Sequence, residues 1–459
     1  MMNQIKHGEI NVYGAGLAGC EAAWQAANRG VKVTLYEMKP HKFTPAHHSP
    51  KLAELVCSNS LRSDRVTNGV GLLKEEMYRL GSLIMEAAYA TRVPAGSALA
   101  VDRELFSDYI TDKIKNHPNI TFVEKEADSV SSDTISVIAT GPLTSDPMAD
   151  YITKELGCGS LHFFDAAAPI VDFSTINMDV AYFASRYGKG DADYINCPMT
   201  REQYDVFYNE LINAKEAELK EFDKAEQKNI TVFEGCMPVE VMARRGYETL
   251  TYGPLKPVGL EDPRTGEEYY AVVQLRKENL EGTMYNIVGF QTHLTFPEQK
   301  RVFRMIPGLE NAEFMRYGIM HRNTYLNSPG MLLPDYSMKD KPNVFFAGQM
   351  TGVEGYIESA GSGLVAGLNA AIRALGQNNG ESIIFPETTM IGAMAAYVSR
   401  GGLSGRFTPM NANFGLIEPL GYKVKGGKVA KYEVVAARSL EKIDEYKETV
   451  KKAFEGEAK

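Results

Sequence analysis

Residues Ile10 to Glu37, INVYGAGLAGCEAAWQAANRGVKVTLYE, constrain the fold of this chain more than any other stretch. Gly14, Gly16 and Gly19 form G-x-G-x-x-G directly after the apolar-rich Ile10–Tyr13. In that setting the first glycine permits a tight turn and the second lets a pyrophosphate approach the backbone. The third lets a helix sit close on the strand. The turn from Gly14 through Ala15, Gly16, Leu17 and Ala18 to Gly19 then aims helix N–H groups and dipole at the phosphates. Leu17, Cys20, Trp24 and Ala27 follow helical spacing, and Gly30 is a natural stop. Val31, Val33 and Leu35 alternate as a strand does, ending at Glu37, which is placed to take the ribose hydroxyls of an adenosine. Strand, turn, helix, strand and acid in that order predict a dinucleotide-binding α/β unit.

With 459 residues there is room for two or three domains and a sizeable core. The first strand begins within ten residues, which leaves no space for a signal peptide, and no apolar run reaches membrane-spanning length. A cytoplasmic protein with no membrane partner is expected. Cys20, Cys57, Cys158, Cys197 and Cys236 are scattered with no C-x-x-C pair, which argues against a disulfide framework, a zinc site or a dithiol redox centre. A net charge of −9 argues against a broad nucleic-acid-binding surface. Between Arg244 and Arg322, however, eleven Lys or Arg face ten Asp or Glu, which leaves a local patch open.

After Glu37 a polar loop runs from Met38 to Pro50. Its His41, His47 and His48 read as solvated, because no acid or cysteine stands at ligand spacing to make a metal site. LAELVCSNSLRSD follows as a short apolar turn broken by small polar residues. The spacing of Leu73, Met77, Leu80, Ile84 and Ala87 predicts one amphipathic helix over 70–89. Asp102 is placed to cap the next helix, whose stripe is Leu105, Phe106, Tyr109, Ile110 and Ile114. Strands are predicted at Ile120–Val123 and Thr134–Ala139, the second running into Ala139-Thr140-Gly141. An apolar strand ending in A-T-G is where flavoproteins with two dinucleotide folds let the chain leave the nucleotide fold.

From Gly157 to about Gly330 the chain mixes aromatics, prolines and short strand-like runs with one charged helix, Arg201 to Lys228. That region reads as an insertion. Asn343–Ala347 is again a buried strand, followed by a glycine-rich turn and a small-residue helix. Backbone could meet a flavin there a second time, at Gly348, Gln349 and Gly355. The final Arg438–Lys459 helix is charged on most faces and reads as solvated. The predicted organisation is 1–150 as the first part of the nucleotide fold, 151–335 as an inserted substrate or RNA domain, and 336–459 as the second part with C-terminal helices.

Several segments taken together resemble the bacterial folate- and FAD-dependent tRNA (uracil-5-)-methyltransferases. They are GAGLAGCEAAW, CSNSLRSD around Cys57, FFDAAAPIVDF, FEGCMPVE around Cys236, VGFQTHLTFPEQKRVFRMIPGLENAEFMRYG, MHRNTYLNSP and AGQMTGVEGYIESAGSGLVAG. The match runs from about Ile10 to about Pro419. The larger relatives that modify the wobble uridine share the fingerprint and IPGLENAE, but carry a long helical C-terminal domain that this chain is too short to hold. Flavoproteins usually place Asp after the late Gly, whereas here Gln349 follows Gly348, a variant the resembling family also uses. The resemblance implies an α/β fold: a Rossmann-type FAD-binding domain with a parallel sheet, interrupted by an inserted α+β domain.

It also implies methylation at C5 of a uridine in the tRNA T-loop. Carbon would come from methylenetetrahydrofolate and hydride from reduced FAD, with NAD(P)H as co-substrate. Such chemistry needs a thiolate at C6 to turn C5 into an enolate carbon, and a second group to remove the C5 proton. Cys57 and Cys236 match family motif positions, Cys236 read as nucleophile and Cys57 as base. Both stand in loop-like sequence beside polar or charged residues, as reactive thiols do. Cys20, Cys158 and Cys197 read as small buried hydrophobes. Tyr356 and His293 are candidates for folate, and Arg244, Arg245 and Arg322, with Arg301 and Arg304, for the RNA. Arg62, Arg244 or a helix N-terminus could lower the pKa of the attacking thiol. Three alternatives stay open here: the same chemistry on ribosomal RNA, a flavin-dependent oxidoreductase acting on a small molecule, and a non-catalytic FAD protein. No second G-x-G-x-x-G separates NADH from NADPH.

Overall fold

The computed structural model describes residues 6–158, 160–166, 168–188, 191–217, 237–279, 282–318, 320–401 and 407–455. Its first sheet is parallel throughout, in the order Val344–Phe346, Ile135–Ile138, Glu9–Tyr13, Lys32–Glu37, Ile120–Glu124. Ile135–Ile138 is buried throughout, whereas Ile10 and Val12, and Val33 and Leu35, alternate with less buried neighbours along their strands. Four strands come from before residue 139 and the fifth from after residue 343, so this sheet is closed by the late part of the chain. Helices Leu17–Ala27 and Tyr356–Leu375 lie together over it. A Cβ at Gly363 would stand 2.2 Å from the Ala18 carbonyl oxygen, and one at Gly367 2.4 Å from that of Ala22. The two backbones touch there because the residues between them are glycine and alanine. Both helices begin at the carboxyl ends of the parallel strands, where ligands of open α/β sheets bind.

A second sheet is built wholly from residues between 170 and 316. Its order is Tyr182–Ala184, Tyr194–Met199, Ala271–Lys277, Met284–Ile287, Ile170–Asp172, Phe314–Arg316, antiparallel at every pairing. It has its own core, in which Ile195, Val273 and Ile287 meet Phe207 and Leu211 of the helix Arg201–Asn213. Thr200 and Gln203 close that helix's N-terminus as a reciprocal capping box. The antiparallel pair Ser160–Ala166 and Met320–Leu326 carries the chain into and out of this sheet.

The structure departs from the sequence expectations in four helices. The predicted helix over 70–89 is two, Gly69–Arg79 and Leu83–Ala90. Gly81 takes φ +79° between them, and the Ser82 hydroxyl accepts from Met85 N–H to start the second. In the helix Arg103–Lys115, Asp102 caps as expected, accepting from Glu104 and Leu105 N–H at 3.0 Å each. Its buried stripe is Phe106, Ser107, Ile110 and Ile114, while Leu105 turns to solvent. The C-terminal helix runs Gly427–Glu455 and is not simply solvated: Val435, Ala436, Ser439 and Ile443 are buried. Those four lie at i, i+1, i+4 and i+8, a narrow stripe that the surrounding Lys and Glu obscure in sequence. The charged helix read as Arg201 to Lys228 ends in the structure at Asn213, and residues 218–228 lie outside the described residues. Among the described residues, no helix is long and apolar enough to cross a membrane.

Candidate functional site

The glycine turn behaves as its spacing demands. Gly14 has φ +95°, and a Cβ there would strike the Ala139 carbonyl oxygen at 2.6 Å, so only glycine fits. A Cβ at Gly19 would lie 1.8 Å from the Gly14 carbonyl oxygen, which fixes the close approach of helix to strand. A Cβ at Gly16 would meet nothing within 4 Å, because it points into open space. Gly16 is the N-cap of the first helix and supplies no side-chain cap, so the first-turn N–H groups are left for a ligand. The Glu37 carboxylate, largely buried, accepts from Ala15 N–H at 2.9 Å and Lys39 N–H at 3.1 Å. It thereby ties the second strand's end to the turn. An open cradle, an uncapped helix start and an acid at the strand end fit a dinucleotide.

That cradle is one end of a cavity of about 470 Å³. Gly14 to Ala18, Glu37, Gly348, Gln349, Gly355, Tyr356 and Cys57 all line it, and Arg276 and Gln291 enter from the second sheet's part of the chain. Gly348 N–H donates to Ser362 Oγ at 2.7 Å, and Gln349 Nε2 donates to Glu354 Oε2 at 2.7 Å, which fix the late turn. The helix Tyr356–Leu375 also starts without a side-chain cap, at Gly355, whose φ of +116° is open only to glycine. Thus the two backbone segments singled out in sequence, some 330 residues apart, face one cavity.

Cys57 stands in that cavity against Tyr356. The phenol oxygen of Tyr356 lies 2.8 Å from Cys57 Sγ, and accepts from Cys57 N–H at 2.8 Å and Ser58 N–H at 3.3 Å. The turn is held from the second sheet. Arg276 donates to Ser58 Oγ at 2.6 Å and Asn59 Oδ1 at 3.0 Å, and Asn59 Nδ2 donates to the Lys277 carbonyl oxygen at 2.8 Å. Arg103 donates from Nε to Glu278 at 2.6 Å and from Nη1 to the Leu55 carbonyl oxygen at 2.7 Å. Arg316 donates to the Ala46 carbonyl oxygen at 3.4 Å. Both guanidinium groups interact electrostatically with Cys57 and Tyr356. Burial, and after it the charge on Cys57, pushes the Tyr356 phenol well above its ordinary range.

Arg62, one of the cations expected to help a thiolate, is paired with the fully buried Glu358. Beneath it Lys74 is buried and donates to the Arg62 and Ser63 carbonyl oxygens at 3.1 and 2.7 Å, and burial lowers its pKa to about 7. Arg244 is paired with Glu216 and the Ile212 carbonyl oxygen on the outer surface. His293 sits on the same Glu216 at 3.7 Å, and His293 first, then Arg244, hold that carboxyl down to about 2. His293, Arg244 and the exposed Arg245 are not among the residues lining the cavity. Arg301 pairs with Glu298 and Glu210, and Arg304 holds the Ala312 carbonyl oxygen, as at an ordinary helix end. Cys236 and the side chain of Arg322 lie outside the described residues.

Cys20, Cys158 and Cys197 are buried, and burial pushes each thiol up, Cys158 to about 11. The three loop histidines do not gather: His41 and His48 are exposed, and His47 Nδ1 lies 2.6 Å from Thr44 Oγ1. Sequence reasoning missed Arg103, Glu278, Arg276 and Arg316 at the cysteine. Arg276 and Glu278 lie in and just after a strand that reads as ordinary sheet, and only the folded chain brings them to Cys57.

Comparison with known proteins places the chain in a family. A family model described as glucose inhibited division protein A matches residues 9–378. A methylenetetrahydrofolate--tRNA-(uracil-5-)-methyltransferase TrmFO of Acetivibrio thermocellus is 58% identical over 437 residues, 95% of this chain and 98% of that protein. One of the same name from Staphylococcus saprophyticus is 57% identical over 441 residues, 96% of this chain and 99% of that protein. Among solved structures, Aquifex aeolicus GidA superposes with a TM-score of 0.67 at 17% identity, covering 98% of this chain and 76% of that one, a likeness of fold. The chain therefore belongs to the glucose inhibited division protein A family, on the branch whose relatives are named methylenetetrahydrofolate--tRNA-(uracil-5-)-methyltransferase.

Proposed function

We propose that this chain methylates C5 of the T-loop uridine of tRNA, with methylenetetrahydrofolate as carbon donor, FAD as cofactor and NAD(P)H as reductant, in the cytoplasm. Full-length identity to relatives of that name supports the reaction. The observation that carries it to the site is the placement of Cys57 in the same cavity as both glycine turns. Neither a purely nucleotide-binding flavoprotein nor one that oxidises a small molecule needs two non-adjacent thiols such as Cys57 and Cys236.

Gly14, Ala15, Gly16, Leu17, Ala18, Gly19 and Glu37 would hold the ADP half of FAD, and Gly348, Gln349 and Gly355 the flavin end. When bound, FAD supplies the hydride that completes the methyl group. The chain's own work is acid, base and nucleophile. In this reading Cys236 adds through sulfur to C6 of the uracil, which makes C5 nucleophilic toward the folate's one-carbon group. Cys57 Sγ then takes the C5 proton as tetrahydrofolate departs to leave an exocyclic methylene, and the Cys236 sulfur is expelled from C6 once hydride reaches that methylene. The carboxyl ends of the parallel strands close one side of the cavity, and the inserted residues 151–335 bring the RNA to the other, between the two FAD-binding parts 1–150 and 336–459. Tyr356 and His293 are assigned to the folate, and Arg244, Arg245 and Arg322 to RNA phosphates.

Incubation with an unmodified tRNA transcript, methylenetetrahydrofolate and NAD(P)H tests the reading, with a ribosomal RNA fragment in parallel. 5-Methyluridine in the tRNA alone supports it. Product only in the ribosomal fragment, or none in either from a flavin-loaded protein, overturns it.

A further inference from the structure

The hydrogen bonds around Tyr356 decide which way its proton points. A phenol oxygen has one hydrogen and two lone pairs. Cys57 N–H and Ser58 N–H both point at that oxygen and occupy its acceptor side. An N–H has no other role open to it, so neither bond can be reversed. The remaining contact, 2.8 Å to Cys57 Sγ, therefore uses the phenol hydrogen, and the sulfur accepts. A sulfur that accepts a hydrogen bond is stabilised in its thiolate form over its thiol form.

Two cations near the sulfur act in the same direction. Arg103 and Arg316 both interact with Cys57, and Arg276 anchors the next residue's hydroxyl. Of the acids nearby, Glu278 is bound to Arg103, Glu54 lies close to Arg316 and the loop, and Glu358 is bound to Arg62. Lys74 sits below Arg62. Arg103 also fixes the Leu55 carbonyl oxygen two residues before the cysteine, so it holds the turn in place as well as supplying charge.

We infer that Tyr356, as hydrogen-bond donor, and Arg103, as neighbouring cation, are positioning residues that hold the Cys57 sulfur as a thiolate at neutral pH. The inference deepens the proposed function, because a thiolate is what a base at C5 must be. Its role for Tyr356 differs from stacking on a folate: the hydroxyl, not only the ring, is in use. Since Glu278 holds Arg103 from the end of an inserted strand, docking of the second sheet and ionisation of Cys57 are coupled.

The test is the pH dependence of Cys57 alkylation by iodoacetamide in the purified, flavin-loaded full chain, read by mass spectrometry of the Cys57 peptide. Cys158 and Cys197 in the same digest serve as buried controls. Wild type is expected to titrate at least about one pH unit below the ordinary thiol value of about 8.5. Tyr356→Phe keeps the ring, and is expected to move the midpoint up by about one unit, a roughly tenfold slower reaction at pH 7. Arg103→Gln should move it in the same direction. A wild-type midpoint at or above the ordinary value, a Cys57 that resists alkylation at every pH, or a midpoint unmoved in Tyr356→Phe overturns the inference. Methyl transfer enters nowhere in this measurement, so its outcome is separate from that of the RNA assay.

Discussion

The carboxylate of Glu278, at the end of an inserted strand, is bonded at 2.6 Å to the Arg103 guanidinium on the nucleotide-fold side. The Glu278 side chain is 1% exposed and that of Arg103 14%. Removing one partner of such a pair leaves the other charge buried and unmatched, which costs about 3–5 kcal/mol. Glu278→Ala is expected to lower the thermal midpoint by on the order of 10 °C. An unchanged midpoint by differential scanning calorimetry would show that the two parts are held by other contacts.

Gly16 and Gly19 should respond in opposite ways. Gly16→Val places its side chain in open space, so the folded chain should keep its stability. Flavin affinity should fall by roughly a hundredfold or more, about 2.7 kcal/mol, because the pyrophosphate loses its approach. Gly19→Ala forces a methyl group against the Gly14 carbonyl oxygen and should destabilise the fold itself. Absorbance in the flavin region and thermal melting of both variants separate the two effects. A yellow Gly16→Val protein would place the pyrophosphate elsewhere.

The contrast between these glycines and the Cys57 clasp shows what a sequence makes legible. Gly14 to Glu37 is local: each role is set by residues within one strand, one helix and the next strand, so spacing alone predicts it. Asp102 is the same case at a helix start. Tyr356, which clasps Cys57, stands 299 positions away from it, and Arg103 meets Glu278 across 175. No periodicity encodes such pairings, and the residues carry an ordinary reading each, an aromatic by a turn and charges beside strands. The misread helices fail for related reasons. Gly81 breaks an apolar stripe that would otherwise run on. The face of Gly427–Glu455 is buried by a helix, Gly69–Arg79, that lies about 360 residues earlier.

That contact sets a pH dependence. Glu76 is fully buried and accepts from Met390 N–H, Ile391 N–H and Ser439 Oγ at 2.7, 2.8 and 2.5 Å. Burial raises its carboxyl from the ordinary 4.5 to about 7, against the opposing pull of those hydrogen bonds. The folded chain holds this proton more tightly than the unfolded one. Its contribution is therefore fully present below pH 4.5 and lost as the pH rises through 7. The stability of wild type relative to Glu76→Gln should fall across that window in urea unfolding. A difference flat from pH 4.5 to 8 would contradict it.

Arg245 is exposed and outside the cavity, whereas its neighbour Arg244 is bound to Glu216. Arg245→Glu should weaken tRNA binding and lower the salt slope by about one, with flavin content unchanged. Arg244→Glu should do the same and also strand Glu216 beside His293, lowering the melting temperature. Filter binding over a range of salt concentrations checks both. Unaltered slopes would move the RNA patch to another face.

The central claim is that Cys57 and Cys236 form the catalytic pair, and 5-methyluridine formation by Cys57→Ala, Cys236→Ala and Cys197→Ala tests it most directly. Flavin content is to be measured in each. Cys197 is buried in the second core, where burial holds its thiol protonated. Losing a catalytic thiol removes at least roughly a hundredfold in rate, while trimming a buried one leaves turnover intact. The account predicts that the first two variants stay yellow and fall by that factor or more, and that Cys197→Ala stays close to wild type. Full activity in Cys57→Ala or Cys236→Ala, or an inactive Cys197→Ala that still binds flavin, would contradict it.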